Sequence, residues 1–117
     1  MRRVRILMLA ASLTAASATA CERGGMVFDR QAWASGRGNA TGENPRAGMV
    51  AQARAAGLVV GATRAEVRAL LGEPDASDAG GDLWYTGRAL YSVDYGTLDV
   101  GYDAEGRVTA IEERYDG

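Results

Sequence analysis

Asp99 and Asp103 sit at the same side-chain parity on one strand-like run, the nearest thing in this chain to a pair of carboxylates sharing acid–base work. Four residues of extended chain hold them about 13 Å apart, too far to share a proton. Their plainer roles are a solvated strand face and a turn. The run Asp99 to Glu105 has the composition of a calcium loop without the spacing of an EF-hand. Ser92 has no histidine to activate it, because the chain contains none, and the commonest metal ligand is missing with it. Gly101 and Gly106 read as strand and turn glycines, since no glycine-rich loop leads from a strand into a helix to cradle phosphate. A non-catalytic protein with no cofactor and no metal is the expectation.

Aromatic side chains offer a different chemistry, that of contact. Trp84, Tyr85, Tyr91, Tyr95 and Tyr102 all fall in one strand-rich region, so a sheet face left open by the helices would carry several rings. Trp84, Tyr85, Tyr91 and Tyr95 are the candidates for a partner-binding surface, Tyr91 and Tyr95 lying nearest a loop. For Trp84 and Tyr102 the closing of a small core is the favoured role, while Tyr91 and Tyr95 suit core and contact evenly.

The elements that must position these rings are legible around Gly61 to Asp75. Thr63 and Glu66 have the spacing of a capping box. Val67, Leu70 and Leu71 form one apolar stripe, with Arg64 and Arg68 on the solvated side. Gly72 and Pro74 stop the helix. Upstream, Asn44 as N-cap and Pro45 as first residue open a helix that ends at Gly57, with Met49, Val50 and Ala53 on its buried face. Downstream, Asp75 to Gly81 has loop composition.

Three strands follow. They are Leu83 to Thr86, with an extension or separate piece at Leu90 to Val93, then Thr97 to Tyr102, then Arg107 to Glu113 after a turn at Asp103 to Gly106. Leu98, Val100 and Tyr102 share one face of the second strand, while the last strand does not alternate cleanly. The fold expected is α+β in two layers, a helical hairpin packed on a three-stranded antiparallel sheet.

The start of the chain reads as an address. Arg2, Arg3 and Arg5 precede an apolar run from Ile6 to Ala16, too short to span a bilayer. Small residues then lead to Ala18-Thr19-Ala20-Cys21, which ends on the only cysteine. Residues 1–20 are expected to be a signal peptide, 21–43 a flexible tether and 44–117 the folded domain. The site at Cys21 suits two peptidases. One leaves a diacylated cysteine as the new N-terminus, and the other cuts at Ala-x-Ala and releases an unmodified protein. The position of a lone cysteine at the cleavage point favours the first. Within the tether, Phe28 and Trp33 form an apolar island, and a short helix over Asp29 to Ala34 would lay Trp33 on the domain edge.

Three of the 13 basic residues and none of the 15 acidic ones precede Cys21, so the remainder holds ten against fifteen and a net charge of −5. That balance argues against nucleic acid and against electrostatic attraction to anionic lipid.

The run Leu58 to Asp75, with Gly61, Thr63, Glu66, Val67 and the Leu70-Leu71-Gly72-Glu73-Pro74 close, together with a Trp-Tyr strand and Leu98 to Val108, resembles the BamE-like (SmpA/OmlA) family. Ala62 stands where that family usually has methionine. The resemblance implies a small envelope lipoprotein with two helices on a three-stranded sheet, and a non-catalytic accessory role beside the machinery that folds β-barrels into the outer membrane. Its partners would be envelope proteins, and Cys21 would anchor it to the membrane. Lipoproteins with aspartate directly after the cysteine tend to stay at the inner membrane; Glu22 stands there, which leaves an outer-membrane address open. The same helix-and-sheet unit resembles the repeat of β-lactamase-inhibitor proteins, and that likeness implies a soluble periplasmic module with one tight protein partner.

Overall fold

In the computed structural model of this chain, residues 27–116 are described. The signal peptide expected at 1–20 and Cys21, where lipid attachment is expected, lie outside them. The described residues form an α+β fold, with three short helices, one 3-10 turn and a four-stranded antiparallel sheet in the order β1-β2-β3-β4 among them. The helices are α1 (Arg30–Ala34), α2 (Val50–Ala56) and α3 (Arg64–Leu71), and the strands are β1 (Ala76–Asp78), β2 (Gly81–Arg88), β3 (Tyr95–Tyr102) and β4 (Val108–Asp116).

Helix α3 forms where its capping signals place it. The Thr63 hydroxyl accepts from the Glu66 amide at 3.1 Å, and the Glu66 carboxylate accepts from the Thr63 amide at 2.8 Å. Gly72 ends the helix at φ 78°, a conformation that would strain a residue with a Cβ. Val67 and Leu71 are buried, while Leu70 is only partly covered, so the stripe is narrower than its spacing suggests.

The upstream helix is broken in two. Asn44 caps a 3-10 turn at Pro45–Gly48, and α2 begins only at Val50. The turn draws the Arg46 side chain inward, where its Nε donates to the Trp33 carbonyl at 2.6 Å.

The sheet has four strands where the sequence suggested three. The additional strand, β1, lies in the Asp75 to Gly81 segment that composition marks as loop, and it pairs Ala76 with Leu83, Ser77 with Asp82 and Asp78 with Gly81. Its three side chains are exposed, so no apolar alternation announces it; the tight turn into β2 brings it to the edge of the ladder. The strand piece expected at Leu90 to Val93 is instead an exposed loop between β2 and β3, in which Tyr91 turns the chain at φ 66°.

The tether expected over 21–43 does not hold for its described part. Asp29 caps α1 by accepting from the Ala32 amide, and Phe28 and Trp33 enter the core, Trp33 with 1% exposure. They join Val50, Ala53, Leu58, Val67 and Leu71 from the helical side and Trp84, Leu98, Val100, Tyr102 and Val108 from one face of the sheet. The short helix foreseen at Asp29 to Ala34 is present, as an integral part of the core. In β4 only Val108 is buried and Ile111 is partly covered against the core, which explains its poor alternation: the rest of the strand is an exposed edge.

A bulge in β2 between Tyr85 and Gly87 fits the N-terminal segment to the sheet. Gly87 has φ 56°, and a Cβ there would stand 2.5 Å from the Gly42 carbonyl oxygen and 2.6 Å from Asn44 Cβ, so only glycine admits the 39–44 segment so closely.

Candidate functional site

The most tightly organised side chains surround Asp82, a carboxylate on the helix-facing side of β2. Both of its oxygens are used: Arg64 and Arg68 reach Oδ1 at 2.7 and 2.8 Å, Ser77 Oγ donates to Oδ1 at 2.7 Å, and the Tyr102 hydroxyl donates to Oδ2 at 2.9 Å. Burial pushes this carboxyl up, but the donors Arg68, Arg64, Ser77 and Tyr102 together outweigh burial and hold it well below the usual carboxylate range. Burial, then the bond to Asp82, pushes the Tyr102 phenol well above its usual value. Arg64 also lies over the Tyr102 ring at 4.6 Å.

A carboxylate saturated by four donors has no lone pair left to take a proton from a substrate, so the cluster locks α3 onto β2 and does no acid–base chemistry. The expectation that Arg64 and Arg68 lie on the solvated side is thereby corrected in part: both keep some exposure, but their guanidinium groups are turned onto the buried Asp82. Their spacing of one helical turn facing a strand acid of the same parity as Trp84 was the available signal.

A second buried ion pair joins the N-terminal segment to the sheet. Arg46 Nη1 donates to Asp75 Oδ2 at 2.9 Å and to the Tyr85 carbonyl at 3.1 Å, while Asp75 accepts from the Gly38 and Tyr85 amides. Arg46 also covers the Trp33 ring at 4.8 Å.

The aromatic candidates separate. Trp84 is completely buried and packs in the core, so it is not a contact residue. Its parity matches Asp82, on the side the helices cover. Tyr85 is half-buried on the opposite, open face, where it lines a hollow of about 390 Å³ with Tyr95, Thr97, Arg114, Tyr115 and Ala40. The structure thus brings Tyr85 and Tyr95 together and adds Tyr115, which strand spacing did not single out. Tyr91 stands apart at the β2–β3 loop with 93% exposure.

That loop carries a cluster of exposed apolar side chains. Leu90, Tyr91 and Val93 are all exposed within four residues. The loop is nonetheless shaped: Arg88 Nη1 donates to the Ser92 carbonyl at 2.8 Å, the Ser92 amide bonds Ala89, and Ser92 Oγ accepts from the Asp94 amide. Ser92 is accordingly a turn residue. Asp99 is engaged by Arg114 at 3.0 Å and by the Thr97 hydroxyl, and Asp103 accepts from the Glu105 and Arg107 amides in its turn.

Among the described residues no three His, Cys, Asp or Glu side chains converge as a metal site requires, and no helix is long and apolar enough to cross a membrane. Comparison with known proteins adds no neighbour: no family model, no curated protein and no solved structure matches the chain.

Proposed function

We propose that this protein is a non-catalytic envelope lipoprotein, anchored through Cys21, that holds a partner protein at the loop between β2 and β3. The observation that carries the reading is the loop itself: two aliphatic side chains and a tyrosine offered to solvent on a backbone that Arg88 pins in place. Apolar groups kept rigid in water gain by being covered, and a preorganised loop loses little entropy when they are. Tyr95 and Tyr85, along the open face from the same end of the sheet, extend the surface toward Arg114. The likeness to the BamE-like family in the Leu58 to Val108 region supplies the setting, an accessory role in outer-membrane protein assembly or envelope integrity on the periplasmic face of the outer membrane.

Capture from detergent-solubilised envelopes tests this directly. The wild-type chain should retain envelope proteins, barrel-assembly components among them, and the double variant Leu90→Asp/Val93→Asp should lose them while keeping its melting temperature, because both side chains touch little of the core. Equal capture by both proteins would remove the loop from the interface.

A second reading is favoured by the hollow at Tyr85 and Tyr95, which is independent of any anchor. In that reading the chain is a soluble periplasmic module similar to β-lactamase-inhibitor repeats. Intact mass of the exported protein decides between them, since an unmodified Cys21 is compatible only with the soluble form.

A further inference from the structure

We infer that the opposite end of the domain, built around Val59 and Val60, is a membrane-facing surface that rests on the phospholipid bilayer. The inference builds on the acylated Cys21 of the proposed function.

Val59 and Val60 lie in the connector between α2 and α3 and are 50% and 67% exposed, although aliphatic. With Ala56, Ala69 and the uncovered part of Leu70 they border a hollow of about 590 Å³, whose polar rim includes Arg30 and Glu66. The connector is fastened to the turn between β3 and β4: the Gly61 amide donates to the Val108 carbonyl at 2.9 Å, and Arg107 Nη1 donates to the Gly61 carbonyl at 2.8 Å. This surface and the Leu90–Val93 loop therefore sit at the two ends of β3, whose eight residues separate them by about 25 Å.

Where the chain enters the domain decides which end meets the membrane. Arg30 belongs to the Val59–Val60 hollow, and Val27, itself exposed, is three residues before it. From Cys21 to Val27 there are six peptide steps, which reach at most about 20 Å even when fully extended. Because Phe28 and Trp33 are committed to the core, these residues are all the spacer there is. An anchor so short holds the Val59–Val60 end at the bilayer and points the Leu90–Val93 loop away from it, toward a partner in the periplasm. The contact is interfacial and apolar and needs no anionic lipid, in keeping with the acidic balance of the chain.

The test uses full-length protein, processed by a bacterial host and reconstituted into phosphatidylcholine vesicles containing doxyl-labelled phosphatidylcholine. Intact mass first establishes acylation, which also blocks the Cys21 thiol. Single variants Val60→Cys and Val93→Cys then carry an environment-sensitive fluorophore. Both positions are exposed, so neither substitution opens the core, and circular dichroism checks this. The expected result is a blue shift and loss of emission by doxyl quenching at 60, with neither at 93. No quenching at 60 in the acylated protein overturns the inference while leaving the anchored adaptor intact; quenching at both positions overturns it too, because the domain would then lie flat. An unmodified Cys21 is the separate failure of the anchored reading, and the inference falls with it.

Discussion

Arg64 and Asp82 are joined across the helix–sheet interface: Arg64 Nη2 lies 2.7 Å from Asp82 Oδ1, and the Asp82 side chain has no exposed surface. Arg68 reaches the same oxygen from one turn further along α3. Neutralising the acid leaves two arginines facing a buried amide, and Asp82→Asn is expected to cost about 3 kcal/mol, the low end for a broken buried pair, because the arginines retain some water contact. Urea unfolding at neutral pH measures it.

The same group sets an acid dependence. The carboxyl value is depressed in the folded state, so its contribution is fully present above the unfolded value of about 3.9 and is lost as pH falls toward the folded one. Wild-type stability should therefore drop between about pH 5 and pH 2 more steeply than that of Asp82→Asn. Parallel acid titrations of the two proteins would sink the assignment.

Trp33 converts a stretch of polar, glycine-punctuated sequence into part of the core. Replacing it by alanine removes an almost completely buried indole and should cost about 3–5 kcal/mol. A chain beginning at residue 44 should be destabilised at least as much. Chemical denaturation of both distinguishes a core segment from a tether, for which neither change would matter.

Arg46 acts through the planar fork of its guanidinium, with Nε on the Trp33 carbonyl and Nη1 on Asp75. Arg46→Ala should cost about 3–5 kcal/mol by leaving Asp75 buried without its cation. Arg46→Lys should recover only part of that, since a single ammonium cannot reach both sites in the fork's geometry. Thermal melts of the pair give the comparison.

Tyr91 occupies left-handed backbone at φ 66°, where a Cβ crowds the following carbonyl. Tyr91→Gly should raise stability by about 1 kcal/mol and lower capture of the partner. A rise in melting temperature with undiminished capture would separate the strain from the proposed function.

Leu70 and Leu71 are neighbours with different fates. Leu71→Ala should cost about 2–5 kcal/mol as a core truncation. Leu70→Ala, on the rim of the Val59–Val60 hollow, should cost about 1 kcal/mol. Equal losses would mean that the two share one environment.

Local signals sufficed where the physics is local. The capping box of α3, its stop at Gly72, the buried faces of α2 and β3 and the turn after Tyr102 each depend on residues within a few positions of one another, and they stand where spacing places them. The α+β class follows from their order. Tertiary structure alone decided what depends on distant partners. Ala76–Asp78 is a strand only because β2 lies beside it, and 27–43 is ordered only because the core accepts Phe28 and Trp33. Arg64 and Arg68 turn partly away from solvent only because Asp82 is buried opposite them. The rings divided for the same reason: a strand's alternation assigns Trp84 and Tyr85 to opposite faces, but only the packed helices determine which face is covered.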